Sequence, residues 1–228
     1  ALPLRNLAAA WDRFCAWRVA REKAVRLLAE PTLRRTTAAS RKPVAVALSG
    51  RIGGKAVHLL AEAGTVTRLT TEDADRIARV IAGLDEDGAV NLRFNGDPGR
   101  PHIGFVADAH VNLQGSLRRS ATLSARKRPS DARIAGVLRS LGLADLLGDP
   151  RGLDQRLAED GRGLNADQTL RLDLARAVLG KVDLLVISSA RFSTHPSQDQ
   201  LLATFRDLTP ATVIVAAPAD HLQLSKAE

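Results

Sequence analysis

Apolar residues recur along this chain with two different periods. Leu4, Leu7, Trp11 and Phe14 keep the spacing of one helical face, which predicts a long helix from Leu4 to Glu30 ended by Pro31. The next stretch, PTLRRTTAASRK at 31–42, is polar and breaks that pattern, so a domain boundary is placed there. From Pro43 the pattern shortens to strands and turns: VAVAL, a glycine turn at Gly50 to Gly54, AVHLL, then Gly64 and TVTRL. A further strand is read at Ile103 to Val106, and Ile134, Val137, Leu138 and Leu141 are spaced for the packing face of a helix. Leu170, Leu174, Ala177 and Val178 mark another helix, which stops at Gly180 and leads into a short buried strand, Leu184 to Ile187. A last apolar strand starts at Thr212.

Composition limits what such a chain can be. At 228 residues, 45% apolar and 25% charged, it is an ordinary globular protein with a sizeable core. No apolar run approaches the about 20 residues of a membrane helix. A single cysteine, Cys15, excludes an internal disulfide and fits a reducing compartment. Methionine is absent, position 1 included, so the chain is expected to be an excerpt of a longer one. The net charge of +8 is concentrated in residues 1–42, which hold ten Lys and Arg against three acids. A basic helix of this kind is a solvated face, a juxtamembrane segment beside anionic lipid, or a nucleic-acid binder with Arg13, Arg18 and Arg21 on phosphates and Trp11, Phe14 and Trp17 on bases. The near-neutral remainder of the chain makes nucleic acid the least favoured of the three.

One local motif invites a phosphate. Ser49-Gly-Arg-Ile-Gly53-Gly54-Lys55-Ala56 lies between an apolar strand and a segment that could be helical. A phosphate loop needs G-x-x-x-x-G-K followed by Ser or Thr, so that backbone N–H groups converge on phosphate, lysine neutralises it and the hydroxyl holds magnesium. Here Ser49 replaces the first glycine and Ala56 the hydroxyl residue. A hairpin turn accounts for the same glycines without a ligand.

The stretch Gly161 to Ala190, GRGLNADQTLRLDLARAVLGKVDLLVISSA, resembles the signature-to-Walker-B segment of ATP-binding cassette (ABC) transporter proteins, exporter type, where GxGLSGGQxQRLALARAL precedes LLLLDEA. The likeness extends from Ala1 to about His221 as an ordered set: IAGL at 81–84, the hairpin Gly88 to Gly96, QGSLRRS at 114–120, GRGL with its helix, the strand at 184–187, and Thr212-Val-Ile-Val-Ala-Ala-Pro218. It implies an α/β cassette nucleotide-binding domain at 43–228, with a P-loop NTPase-like core, an N-terminal antiparallel β-subdomain and an inserted α-helical subdomain at about 112–170, preceded by a long basic helix. Residues 1–42 would be the juxtamembrane helix and linker. It also implies a second cassette domain and a transmembrane domain as partners, at the cytoplasmic face of the inner or plasma membrane.

The same resemblance locates the chemical positions, and there the chain departs from the pattern. The phosphate loop falls on Thr70, Thr71, Glu72, Asp73, Ala74 and Asp75, with no glycine and no lysine. Thr70 or Thr71 can cap the helix that follows, and the acids complement its positive end. Against phosphate, each acid would cost on the order of 1 to 4 kcal/mol. Asp108 stands at the glutamine that meets magnesium, and the signature becomes Leu164-Asn165-Ala166-Asp167-Gln168, in which Asn165 and Gln168 can still form a capping box. Ser188 and Ser189 take the Walker B Asp and Glu positions, His195 the D-loop Asp, and Pro218 the switch histidine, with His221 three residues on. No catalytic residue and no bound cofactor is expected, and the implied function is a degenerate cassette domain that supports or regulates a partner in transport. The alternative is a working ATPase built on Gly53, Gly54 and Lys55 with ATP and magnesium, recruiting Asp183 or Asp199.

Overall fold

A computed structural model describes residues 11, 14–23, 25, 43–85, 90–97, 99–108, 115–157 and 163–217. The chain forms two compact units, Ala1–Arg35 and Thr36–Glu228. In the first, residues 14–23 are helical (α1), and Trp11, Phe14 and Trp17 lie along one exposed face at three-residue intervals. Their successive ring centroids are 5.9 and 6.0 Å apart, and the Arg21 guanidinium sits 5.6 Å from the Trp17 ring. The expected helix ends, Leu4, Leu7, Glu30 and Pro31, and the boundary stretch 31–42 lie outside the described residues. Among those described, no helix is long and apolar enough to cross a membrane.

The second unit opens with β1 (Val46–Ile52) and β2 (Lys55–Ala61), antiparallel and joined by Gly53 and Gly54 at φ 58° and 81°. Positive φ at both central residues is the two-residue hairpin turn that matches strand twist, and glycine adopts it without a Cβ clash. The segment after the glycines is therefore a strand, not a helix, and Gly50 lies within β1, so the turn is shorter than its sequence suggests. Next come β3 (Val66–Leu69) and α2 (Ala74–Ala82). The expected cap at Thr70 or Thr71 is not formed. Asp73 is the N-cap residue and makes no side-chain cap bond, because its carboxylate lies 3.3 Å from Lys55 Nζ; the turn is closed by backbone, Ala74 N–H to Thr71 C=O at 3.0 Å.

After α2, β4 (Val90–Phe94) adds to the other side of β1, and β5 (Ile103–Ala107) belongs to a second sheet. Between β5 and the signature helix lie β6 (Gly115–Ser116), α3 (Leu117–Ala121), α4 (Asp131–Ser140), two short 3-10 turns and β7 (Arg156–Leu157), which pairs with β6. Then follow α5 (Ala166–Gly180), β8 (Leu184–Ser188), α6 (Ala190–Ser193), α7 (Gln198–Leu208) and β9 (Thr212–Ala216). The second sheet is wholly parallel, in the order β3-β9-β8-β5.

This sheet separates two apolar cores. Leu184, Val186 and Ile214 face α2 and the antiparallel sheet, whereas Leu185, Ile187, Val213 and Val215 face α5, α7 and α4. Burial on both faces is why β8 and β9 read as unbroken apolar runs rather than alternating ones. The same arrangement carries the C-terminal ends of β3, β5, β8 and β9 to one edge of the sheet. In open parallel sheets that edge is where ligands bind.

Candidate functional site

Three of the segments singled out in the sequence meet at that edge. Ser188 ends β8 and Ser189, only 2% exposed, begins the turn into α6. The Ser188 hydroxyl donates to the Asp75 carboxylate at 2.5 Å. One residue on, the Ser189 hydroxyl donates to Asp108 at 2.5 Å, and the same carboxylate accepts the N–H groups of Ala190 at 2.9 Å and Arg191 at 3.3 Å. Burial alone would raise the Asp108 pKa; the Ser189 hydroxyl and the two N–H groups outweigh it and hold the carboxyl below the usual carboxylate range. The carboxylates of α2 and of the end of β5 are thus tied to the two hydroxyls that close β8.

The start of α2 is occupied in a similar way. Lys55 Nζ lies 2.8 Å from Glu72 and 3.3 Å from Asp73, and the hydrogen bonds it donates to both acids raise its pKa. The two stretches that suggested a phosphate, Gly53 to Lys55 and Thr70 to Asp75, are therefore neighbours, and the lysine of one serves the acids of the other. An added Cβ on Gly53 would come within 3.1 Å of the Arg76 guanidinium, so α2 packs directly over the hairpin turn.

At the signature, Asn165 caps α5 and the reciprocal box predicted from sequence is present. Asn165 Oδ1 accepts Gln168 N–H at 2.7 Å, and Gln168 Oε1 accepts Asn165 N–H at 2.9 Å. Ala166 is the first helical residue, and Leu164 packs against the helical core. Asp167 accepts from Arg171 Nε at 2.7 Å and lies 2.7 Å from His195 Nε2. The N–H of Ser197 donates to His195 Nδ1 at 3.1 Å. A nitrogen that accepts carries no proton, which leaves His195 Nε2 as the donor of the hydrogen bond to Asp167. Burial pushes the Asp167 pKa up, but the bonds from Arg171 and His195 prevail and lower it. His195 lies in the turn after α6, and its contact with Asp167 across 28 positions was not foreseeable from spacing.

The carboxylates named for the working-ATPase alternative are placed elsewhere. Asp183 precedes β8, at the opposite end of a five-residue strand, roughly 16 Å from Ser188. It is buried, accepts His102 N–H at 2.9 Å, and burial raises its pKa. Asp199 pairs with Arg68 at 2.6 Å on the surface. Pro218 and His221 lie outside the described residues, and among those described no three His, Cys, Asp or Glu gather as metal ligands.

No protein-family model matches the chain. It is 28% identical over 133 residues to an ABC transporter 1 of Ajellomyces capsulatus, covering 57% of this chain and 10% of that protein. It is 28% identical over 103 residues to an uncharacterized ABC transporter ATP-binding protein of Haemophilus influenzae, covering 45% and 18%. Over 89 residues it is 28% identical to a putative export ATP-binding/permease protein of Rickettsia bellii, covering 38% and 16%. The aligned stretches thus span less than a fifth of these curated relatives. A solved bacterial Atm1-family ABC exporter with ATP bound superposes with a TM-score of 0.67 at 17% identity, over 88% of this chain and 39% of that one. The chain has the fold of an ABC exporter's nucleotide-binding domain, and its sequence resembles the ATP-binding part of ABC transporters.

Proposed function

We propose that this is a degenerate cassette domain. In this reading it pairs with a second cassette domain beneath a transmembrane domain, passes on or restrains motion in transport, and has little ATPase activity of its own. The observation that carries the reading is the Asp75–Ser188 bond, with its neighbour Asp108–Ser189. The strand end that, in the family this chain resembles, delivers two carboxylates to magnesium and water delivers two hydroxyls. Both are already donated to carboxylates arriving from other elements.

A magnesium triphosphate does not fit this donor set. Glu72, Asp73 and Asp75 stand at the helix start where phosphate would bind, and the lysine within reach is engaged with two of them. A helix start that carries carboxylates attracts cations rather than phosphate. The working-ATPase reading loses support on the same grounds, since Lys55 follows a hairpin turn and Asp183 faces the other end of β8.

The test is calorimetric titration with Mg-ATP and with ATP alone, together with a turnover assay on the purified chain. The expected result is no magnesium-dependent binding up to millimolar nucleotide and no turnover above background. Micromolar magnesium-dependent binding would sink the proposal. Turnover abolished by Lys55→Ala would establish the alternative in its place.

A further inference from the structure

At the other end of the parallel sheet, where β5 and β8 begin, the second unit has a cavity of about 580 Å³. Arg126, Lys127, Arg128, Arg133 and Lys181 line it together with His102, and no carboxylate is among its lining residues. Among the described residues, none of these five cations is in an ion pair. The acids nearby are engaged elsewhere. Asp131 and Asp154 are both bonded to Arg118, and Asp183 is turned inward onto the His102 N–H. Asp154 and Asp183 feel the charges of Arg128 and Arg126 but do not reach them.

Five exposed cations around one concavity repel one another; water and salt screen part of that repulsion, and a ligand of opposite charge relieves it further. Three of them are arginines, whose planar fork of N–H donors matches phosphate oxygens. The cavity is not charged throughout, because Pro129, Val178 and Leu179 form part of its wall. Its volume falls within the roughly 300–1,000 Å³ of small-molecule sites, which argues for a compact ligand rather than a polymer laid over a flat face.

We infer that this cavity is a binding site for a phosphate monoester carrying an apolar group, with the phosphate among Arg126, Arg128 and Arg133 and the apolar part against Val178 and Leu179. The site lies at the far end of the sheet from Asp75, Asp108 and Ser188 and does not depend on how those residues are read. Its ligand is either a soluble metabolite or the headgroup of a phosphatidic-acid-like lipid, since both present the same chemistry.

Calorimetry of the full chain, without magnesium and at moderate salt, tests this with phenyl phosphate and with inorganic phosphate. One phenyl phosphate per chain is expected, held about tenfold more tightly than inorganic phosphate, the difference being burial of the ring. The Arg126→Ala/Arg133→Ala double variant should weaken phenyl phosphate at least about tenfold. Both side chains are exposed, so the fold should survive, and circular dichroism checks that it does. Arg206→Ala, which removes an exposed cation on α7, should leave binding unchanged. Vesicles containing phosphatidic acid, compared with phosphatidylcholine alone, separate the two sources: capture that requires Arg126 and Arg133 assigns a lipid headgroup, and its absence beside saturable phenyl phosphate binding assigns a soluble ligand. No saturable binding, or binding weakened equally by Arg206→Ala, would overturn the inference.

Discussion

Asp108→Ala should loosen the junction between β8 and α6. The carboxylate accepts the Ser189 hydroxyl at 2.5 Å, Ala190 N–H at 2.9 Å and Arg191 N–H at 3.3 Å. Ser189 Oγ in turn accepts Phe192 N–H at 3.2 Å, and Phe192 is fully buried in the helical core. Removing the carboxylate leaves a buried hydroxyl without its acceptor and two N–H groups of a four-residue helix without theirs. A hydrogen bond to a charged group contributes about 1.5–3 kcal/mol when shielded from water. Asp108 itself is exposed, and water can replace it at Ala190 and Arg191, so the three bonds together are discounted to a net of about 2 kcal/mol, carried mainly by the Ser189 hydroxyl. In a unit of this size that lowers the melting temperature by about 4–8 °C.

The charge gives this prediction a second signature. The folded pKa of Asp108 is held below its ordinary value, so the native state takes up the proton later than the unfolded chain does. Its contribution is therefore fully present above about pH 4 and is lost as pH falls through the folded pKa. Asp108→Asn keeps an acceptor for the Ser189 hydroxyl and loses the charge, so it should cost about half as much as alanine, with little dependence on pH. Urea denaturation of the full chain, followed by circular dichroism at about pH 7 and about pH 3, gives both numbers. A cost for alanine within about 0.5 kcal/mol of zero at neutral pH, the level of an ordinary surface change, would refute the reasoning. So would a gap between native protein and alanine variant that stays the same at pH 3.

Two further substitutions probe the frame that holds the site. Gly83 ends α2 at φ 77°, and an added Cβ would collide with the Arg100 guanidinium, which reaches the Ile81 carbonyl at 3.4 Å; Gly83→Ala should cost about 2 kcal/mol in urea melts, from the left-handed backbone and the displaced arginine together. Asn165→Ala removes the acceptor of the capping box at the signature helix and should cost about 1 kcal/mol in the same assay.

What the sequence reveals of this protein depends on the range of the interaction that settles each feature. The strands at 184–187 and 212–216 were readable because burial on both faces leaves an unbroken apolar run, and the Asn165–Gln168 box because its two partners sit three residues apart. The cap of α2 was misread because it is settled by Lys55, 17 positions from Glu72 and next to Asp73 in space, which draws Asp73 off the helix end. The pairs at the sheet edge span still more chain, 113 positions for Asp75 and Ser188 and 81 for Asp108 and Ser189, and no periodicity reports them. Sequence showed only that carboxylates and hydroxyls stood in unfamiliar places; the fold brings each carboxylate to a hydroxyl. This pairing makes the substitutions interdependent. A single substitution such as Ser188→Asp would set a second carboxylate against Asp75, where two like charges in contact oppose one another and one is driven to keep its proton. In the degenerate-cassette reading proposed above, the acids at α2 and the hydroxyls at β8 are then one exchange rather than separate losses, and restoring nucleotide chemistry would require both sides of it to change together.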